Sequence, residues 1–221
     1  MKSNFDFLSK DFPVLANFGK LAEQYCYSDA NSCLIKLGMI GETIVNLMFT
    51  YDGIALPYEN TAIKRNNTLM REGLIPRDLR DILHAICKNS KKTPHENYGS
   101  VDEGKTLLQM TYSLCEWFMQ TYGDWNYKNQ QFVTPVEPST TDYIKVDKEN
   151  EKKIEDNLTK KAEKAAASAP KISQEERKKQ SAVAAGNRQK SEAETRYLID
   201  EQLRKVGWEA DTEQLRDSKG T

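Results

Sequence analysis

The chemistry-bearing residues of this chain are densest in one stretch, Ile86-Cys87-Lys88-Asn89-Ser90-Lys91-Lys92-Thr93-Pro94-His95-Glu96-Asn97. Lys88, Lys91, Lys92 and His95 gather three ammonium groups and an imidazole just past the expected end of a helix. Such a set could hold a phosphate, with lysine acting as a point charge. The same lysines also suit the negative end of a helix dipole, where they stay solvated. His84 stands three residues before Cys87, so both fall on one side of a helix. They could serve as base and nucleophile, or the imidazole could be a half-buried structural group. Glu194 is a further candidate, but its position three residues after Ser191 also completes a capping box, in which hydroxyl and carboxylate satisfy each other's backbone amides. The chain has no Walker lysine loop, G-x-G-x-x-G, G-x-S-x-G or H-E-x-x-H;. Cys26, Cys33, Cys87 and Cys115 lack C-x-x-C spacing, so buried free thiols are expected and no metal site is;.

Helices must position these groups. Pro13 favours a helix start, and Leu15, Phe18, Ala22 and Tyr25 then recur at helical spacing;. After a cap at Ser28 or Asp29, an apolar stripe runs through Cys33, Leu37, Ile40, Ile44, Leu47, Met48 and Tyr51 until Asp52-Gly53 breaks it;. Asn60 to Arg71 forms a weaker helix. Pro76 opens another, carrying Leu79, Ile82, Leu83 and Ile86;. Ser100 with Glu103 caps a last one through Leu107, Thr111, Leu114, Cys115, Phe118 and Tyr122;. Without useful strand alternation, the expected fold class is all-α, a bundle of four to five helices. Trp125, Tyr127, Phe132, Pro135 and Pro138 follow without a period, which suggests an extended strap packed back on the bundle;.

The character then changes. Glu151 to Lys190 holds eleven Lys and Arg against six Asp and Glu and has no aromatic residue, which predicts a basic, partly helical tether with too little apolar surface to bury;. A single helix is expected from the Ser191 cap to Val206, with Ile199, Leu203 and Val206 on one face, a glycine cap at Gly207 and Trp208 folding back onto the last turn;. The expected division is therefore a bundle with its strap over 1–135, a charged and partly disordered linker over 136–190, and the start of a further domain over 191–221. A net charge of -1 provides no global nucleic-acid footprint, which leaves local patches to argue from;. Met1 to Lys10 lacks a signal-peptide layout, and no uninterrupted apolar run reaches the roughly 18–20 residues of a membrane span. A soluble, cytoplasmic protein with no membrane partner is expected.

Several blocks carry a resemblance: N-F-D-F-L (Asn4–Leu8), S-D-A-N-S-C-L-I-K-L-G-M-I-G-E (Ser28–Glu42), I-L-H-A-I-C-K with His95-Glu96, and W-F-M-Q-T-Y-G-D-W leading to F-V-T-P (Trp117–Pro135). Together they resemble the N-terminal helical domain of restriction subunits of type I restriction-modification enzymes. S-E-A-E-T-R-Y-L-I-D-E-Q-L-R-K-V-G-W followed by L-R-D-S-K-G is similar to the entry into the nuclease region of the same subunits. The resemblance implies a segment that interacts and positions within an ATP-dependent, DNA-translocating and DNA-cleaving complex. The partners it implies are modification and specificity subunits and DNA. Mg²⁺ and ATP would serve the full-length family, while this chain itself would carry no cofactor. Glu194 would correspond to an acidic residue on the first nuclease helix, and the metal-holding residues would lie beyond Thr221, leaving the chain catalytically incomplete. Lys88, Lys91, Lys92, His95 and Arg196 are the candidate nucleic-acid contacts. The bundle also resembles HEPN-type domains, some of which cleave RNA. Members of that group carry Arg-Arg and Gly-Asn ahead of the histidine, where this chain has Cys87-Lys88 and Ser90-Lys91. The alternatives are therefore an RNA-binding or RNA-cleaving module using His95, or a truncated stand-alone nucleic-acid-binding protein.

Overall fold

A computed structural model of the chain describes residues 2–91, 100–137, 148–188, 190–205 and 207. Among these the fold is all-α, with every regular element helical. The chain divides into two compact units between Arg188 and Gln189.

The first unit opens with a short 3-10 helix, Asn4–Leu8, capped reciprocally by Ser3 and Asp6. It continues into α1 (Pro13–Ser28), with proline in its first turn, and α2 (Ala30–Asp52). Asp29 separates the two helices and caps α2, its Oδ1 accepting from the Ser32 amide at 3.0 Å. A connection this short makes α1 and α2 packed neighbours;. Gly53 ends α2 in the left-handed conformation (φ 64°), and its amide bonds back to Phe49 O, as a C-terminal cap requires;. The Phe5 ring lies against the backbone of Gly19, where an added Cβ would meet it at 2.1 Å, so the absence of a side chain on α1 lets the 3-10 helix close onto it.

Next come α3 (Ala62–Arg71), capped by Thr61, α4 (Arg77–Asn89), with Pro76 at its cap, and α5 (Val101–Tyr122), capped by Ser100. The stripes read from the sequence point inward: Leu37, Ile40, Ile44 and Met48 of α2, Leu79, Ile82, Leu83 and Ile86 of α4, and Leu107, Leu114 and Phe118 of α5 are all buried. By length and composition α2 could cross a membrane, with mean hydropathy 1.4, but 67% of that window is buried within the protein, against α1, α4, α5 and α6.

The structure differs from expectation over 136–190. Its described part is no solvated tether but two further helices, α6 (Lys148–Ser168) and α7 (Gln174–Gly186), inside the first unit. α6 packs on α1 and α2, and α7 packs on α5. Few large apolar residues are needed, because small and polar groups make the seam. Ala166, Ala184 and Ser181 are buried, and charged groups are buried in pairs. Lys36 of α2 bridges Glu151 and Glu155 of α6, the latter at 2.5 Å. Arg177 of α7 meets Asp52 at 3.1 Å, with both side chains at most 3% exposed. Arg188 reaches Asp78 at 2.9 Å. With α7 covering it, α5 is buried all round from Met110 to Tyr122, where periodicity predicted one stripe.

Residues 124–137 run along the bundle without regular structure. The segment is largely exposed, and several of its backbone polar groups are held by side chains of the bundle. Gln130 N donates to Glu116 Oε1 (2.7 Å), Val133 exchanges two hydrogen bonds with Asn4, and Tyr27 donates to Pro135 O (2.6 Å).

The second unit contributes α8 (Glu192–Lys205). Ser191 Oγ accepts from the Glu194 amide at 3.0 Å, and Gly207 takes φ 83° just past the helix, as the capping signals predict. Val206 and Trp208 of the expected apolar face lie outside the described residues; Ile199 is 49% exposed.

Candidate functional site

Lys88 sits in the last turn of α4, and Lys91 lies two residues past the end of that helix; both are exposed. The helix end beneath them is self-satisfied, since Ser90 N donates to Ile86 O, Ser90 Oγ to Cys87 O and Asn89 Nδ2 to Ala85 O. Lysines beside carbonyls closed in this way complement the helix dipole. Lys92 and His95 lie outside the described residues. His84 and Cys87 are both half-buried on α4.

The thiols are all free, with Cys26, Cys33 and Cys115 buried. The hydrogen bond with Cys26, together with burial, pushes the Cys33 thiol up, and burial pushes Cys115 up. Thiols held protonated in this way are poor nucleophiles and poor metal ligands. Among the described residues no three His, Cys, Asp or Glu side chains are grouped to hold a metal ion.

In the second unit the Glu194 side chain is 2% exposed, on the first turn of α8 behind its Ser191 cap. Arg196 is exposed and pairs with Glu192 at 3.2 Å. A single carboxylate does not make a divalent-cation site, so the described residues do not fit the Mg²⁺ of a nuclease centre;.

Two polar clusters that sequence reasoning missed lie inside the first unit. Glu116 of α5 accepts from Tyr112 OH (3.0 Å), Tyr127 OH (3.2 Å) and Gln130 N, all on the same oxygen. Burial pushes its carboxyl above the ordinary range, although these three donors pull it back. Asp52 accepts from Arg177 and from Tyr122 OH (2.7 Å), while the guanidinium stacks 4.2 Å from the Tyr122 ring centre and reaches Thr121 O. These clusters bind the strap and α7 to α5, with Glu116 and Arg177 themselves buried.

An open concavity among the described residues lies elsewhere. A groove of about 480 Å³ lies between α3 and the loop before it, lined by Leu56, Pro57, Tyr58, Lys64, Asn67 and Arg71. Its sequence signal is a polar face at i, i+3 and i+7 on the helix read as weak, next to an aromatic in a proline-bearing loop.

The chain is similar to a restriction endonuclease subunit. The chain is 24% identical over 273 residues to the Type I restriction enzyme EcoKI endonuclease subunit of Escherichia coli (strain K12), covering 99% of this chain and 23% of that protein. The chain thus spans less than a quarter of the length of the curated relative it matches. No family model matches the chain, and no solved structure matches it. The similarity relates this chain to a restriction-enzyme subunit.

Proposed function

We propose that these residues form an interaction and positioning segment of a type I restriction endonuclease subunit, without a complete catalytic centre of their own. The observation that carries this reading is the similarity to the EcoKI endonuclease subunit over 99% of the chain. Two features support it. The first unit uses its buried charges to hold α6 and α7 in place, which suits a rigid mount. Glu194 lies in the second unit, on the first turn of α8, where its backbone amide bonds the Ser191 cap. On this reading the partners are modification and specificity subunits, and DNA is the substrate of the whole assembly.

The test has two arms. The purified chain, incubated with plasmid DNA, Mg²⁺ and ATP, is expected to leave the DNA intact. Mixed with a modification and specificity assembly, it is expected to co-elute on size exclusion. Rapid cleavage by the chain alone would overturn the proposal. RNA turnover that disappears in His95→Ala would replace it with the ribonuclease alternative.

A further inference from the structure

We propose that the groove between α3 and the 55–58 loop binds a single nucleic-acid strand, stacking a base on Tyr58 and holding its phosphates with Lys64 and Arg71. This rests on the groove and its side chains, and it is independent of the restriction-subunit reading.

Lys64, Asn67, Thr68 and Arg71 fall at i, i+3, i+4 and i+7, so they form one face of α3, and that face lines the cavity;. Lys64 and Arg71 are two turns apart, about 10 Å along the axis, with the Asn67 amide between them. Opposite, Tyr58 projects its whole side chain into solvent at 105% relative exposure, and Leu56 beside it is 57% exposed. An aromatic ring with no protein neighbour leaves both faces open, and every base offers a face to stack on it.

The cations are available. Lys64 pairs with Glu59 at 3.5 Å and Arg71 with Glu72 at 3.6 Å, and all four side chains are at least 36% exposed. Exposed pairs of this kind contribute about 0–1 kcal/mol, so phosphate can displace the carboxylates. Arg65 on the same helix shows the contrast. Its side chain is 11% exposed and is spent inward on Asn46 and Glu42. The helix therefore assigns one cation to packing and two to the groove. A duplex keeps its bases stacked on each other and offers Tyr58 only its edges, so the occupant is an unpaired strand.

The test uses the 221-residue chain and a fluorescein-labelled twelve-nucleotide oligothymidylate, read by anisotropy at low salt. The wild type is expected to bind saturably, Tyr58→Ala to bind roughly five- to hundredfold more weakly, and Tyr58→Trp to retain binding. The Lys64→Ala/Arg71→Ala double variant is expected to flatten the plot of log affinity against log salt by about 1.4, since each strand phosphate contributes about 0.7. Because Tyr58 makes no packing contact at this exposure, its alanine variant should melt with the wild type. An absence of saturable binding would overturn the proposal. So would affinity unchanged by both sets of substitutions, or equal affinity for a duplex or a polyglutamate peptide.

Discussion

Replacing Arg177 by alanine separates a docked α7 from a solvated tether. In the structure Arg177 is 3% exposed and bonds Asp52 at 3.1 Å, also touching Thr121 O and the Tyr122 ring. Alanine leaves Asp52 buried at 1% side-chain exposure, with Tyr122 OH as its remaining donor among these groups. Breaking a buried pair from one side costs about 3–5 kcal/mol, mostly the cost of the stranded charge. A unit of this size loses about 2–4 °C of melting temperature per kcal/mol, so the expected drop is roughly 6–20 °C. Circular dichroism at 222 nm measures it, with Lys178→Ala as a control that should shift the midpoint little, being an exposed pair with Glu175;. The double variant Asp52→Asn/Arg177→Met is expected to lose less than the sum of the two single variants, because no charge is left stranded. An Arg177→Ala midpoint within the scatter of Lys178→Ala would refute the reasoning and return 174–186 to solvent.

Further outcomes follow from the same contacts. Burial raises the Glu116 carboxyl, so the folded state holds its proton more tightly than the unfolded chain. Its contribution to stability is complete below the unfolded value of about 4.3 and is lost as pH rises through the folded value. Glu116→Gln can keep all three hydrogen bonds on its amide oxygen, so urea midpoints from pH 4 to 8 should show the variant gaining on the wild type as pH rises. A pH-independent gap between the two would count against a buried, shifted carboxyl. Gly53→Ala forces a side chain into a left-handed conformation (φ 64°) and should cost about 1–2 kcal/mol in the same assay;. Gly19→Ala places a methyl against the Phe5 ring and should cost about 1–3 kcal/mol as overpacking, whereas no loss would mean that the 3-10 helix does not close on α1;.

The bundle was legible because its helices carry local signals that agree with one another. Asp29, Ser100 and Gly53 cap where their side chains or φ freedom require it, and the stripes of α2 and α4 match their buried faces. The docking of α6 and α7 was illegible for a physical reason. A seam made of Ala166, Ser181, Ala184 and paired charges has the composition of a solvated segment, and only the partners reveal it. Those partners, Lys36, Asp52 and Asp78, lie more than a hundred residues away along the chain. The polar residues of α5 misled in the same way: Glu116 and Gln120 look solvent-facing until the strap supplies their donors and acceptors. For the site, lysine density pointed to the end of α4. Of that set Lys92 and His95 lie outside the described residues; the groove along α3 carried a fainter signal, a spacing of Lys64, Asn67 and Arg71 on a short helix.

The central claim, a segment that positions and does not cut, is tested most directly by size exclusion of the purified chain with a modification and specificity assembly, with supercoiled DNA, Mg²⁺ and ATP added to the eluted fractions. The account predicts that the chain shifts to the assembly's elution volume and leaves the DNA supercoiled. A chain that elutes alone and linearises the DNA would contradict it.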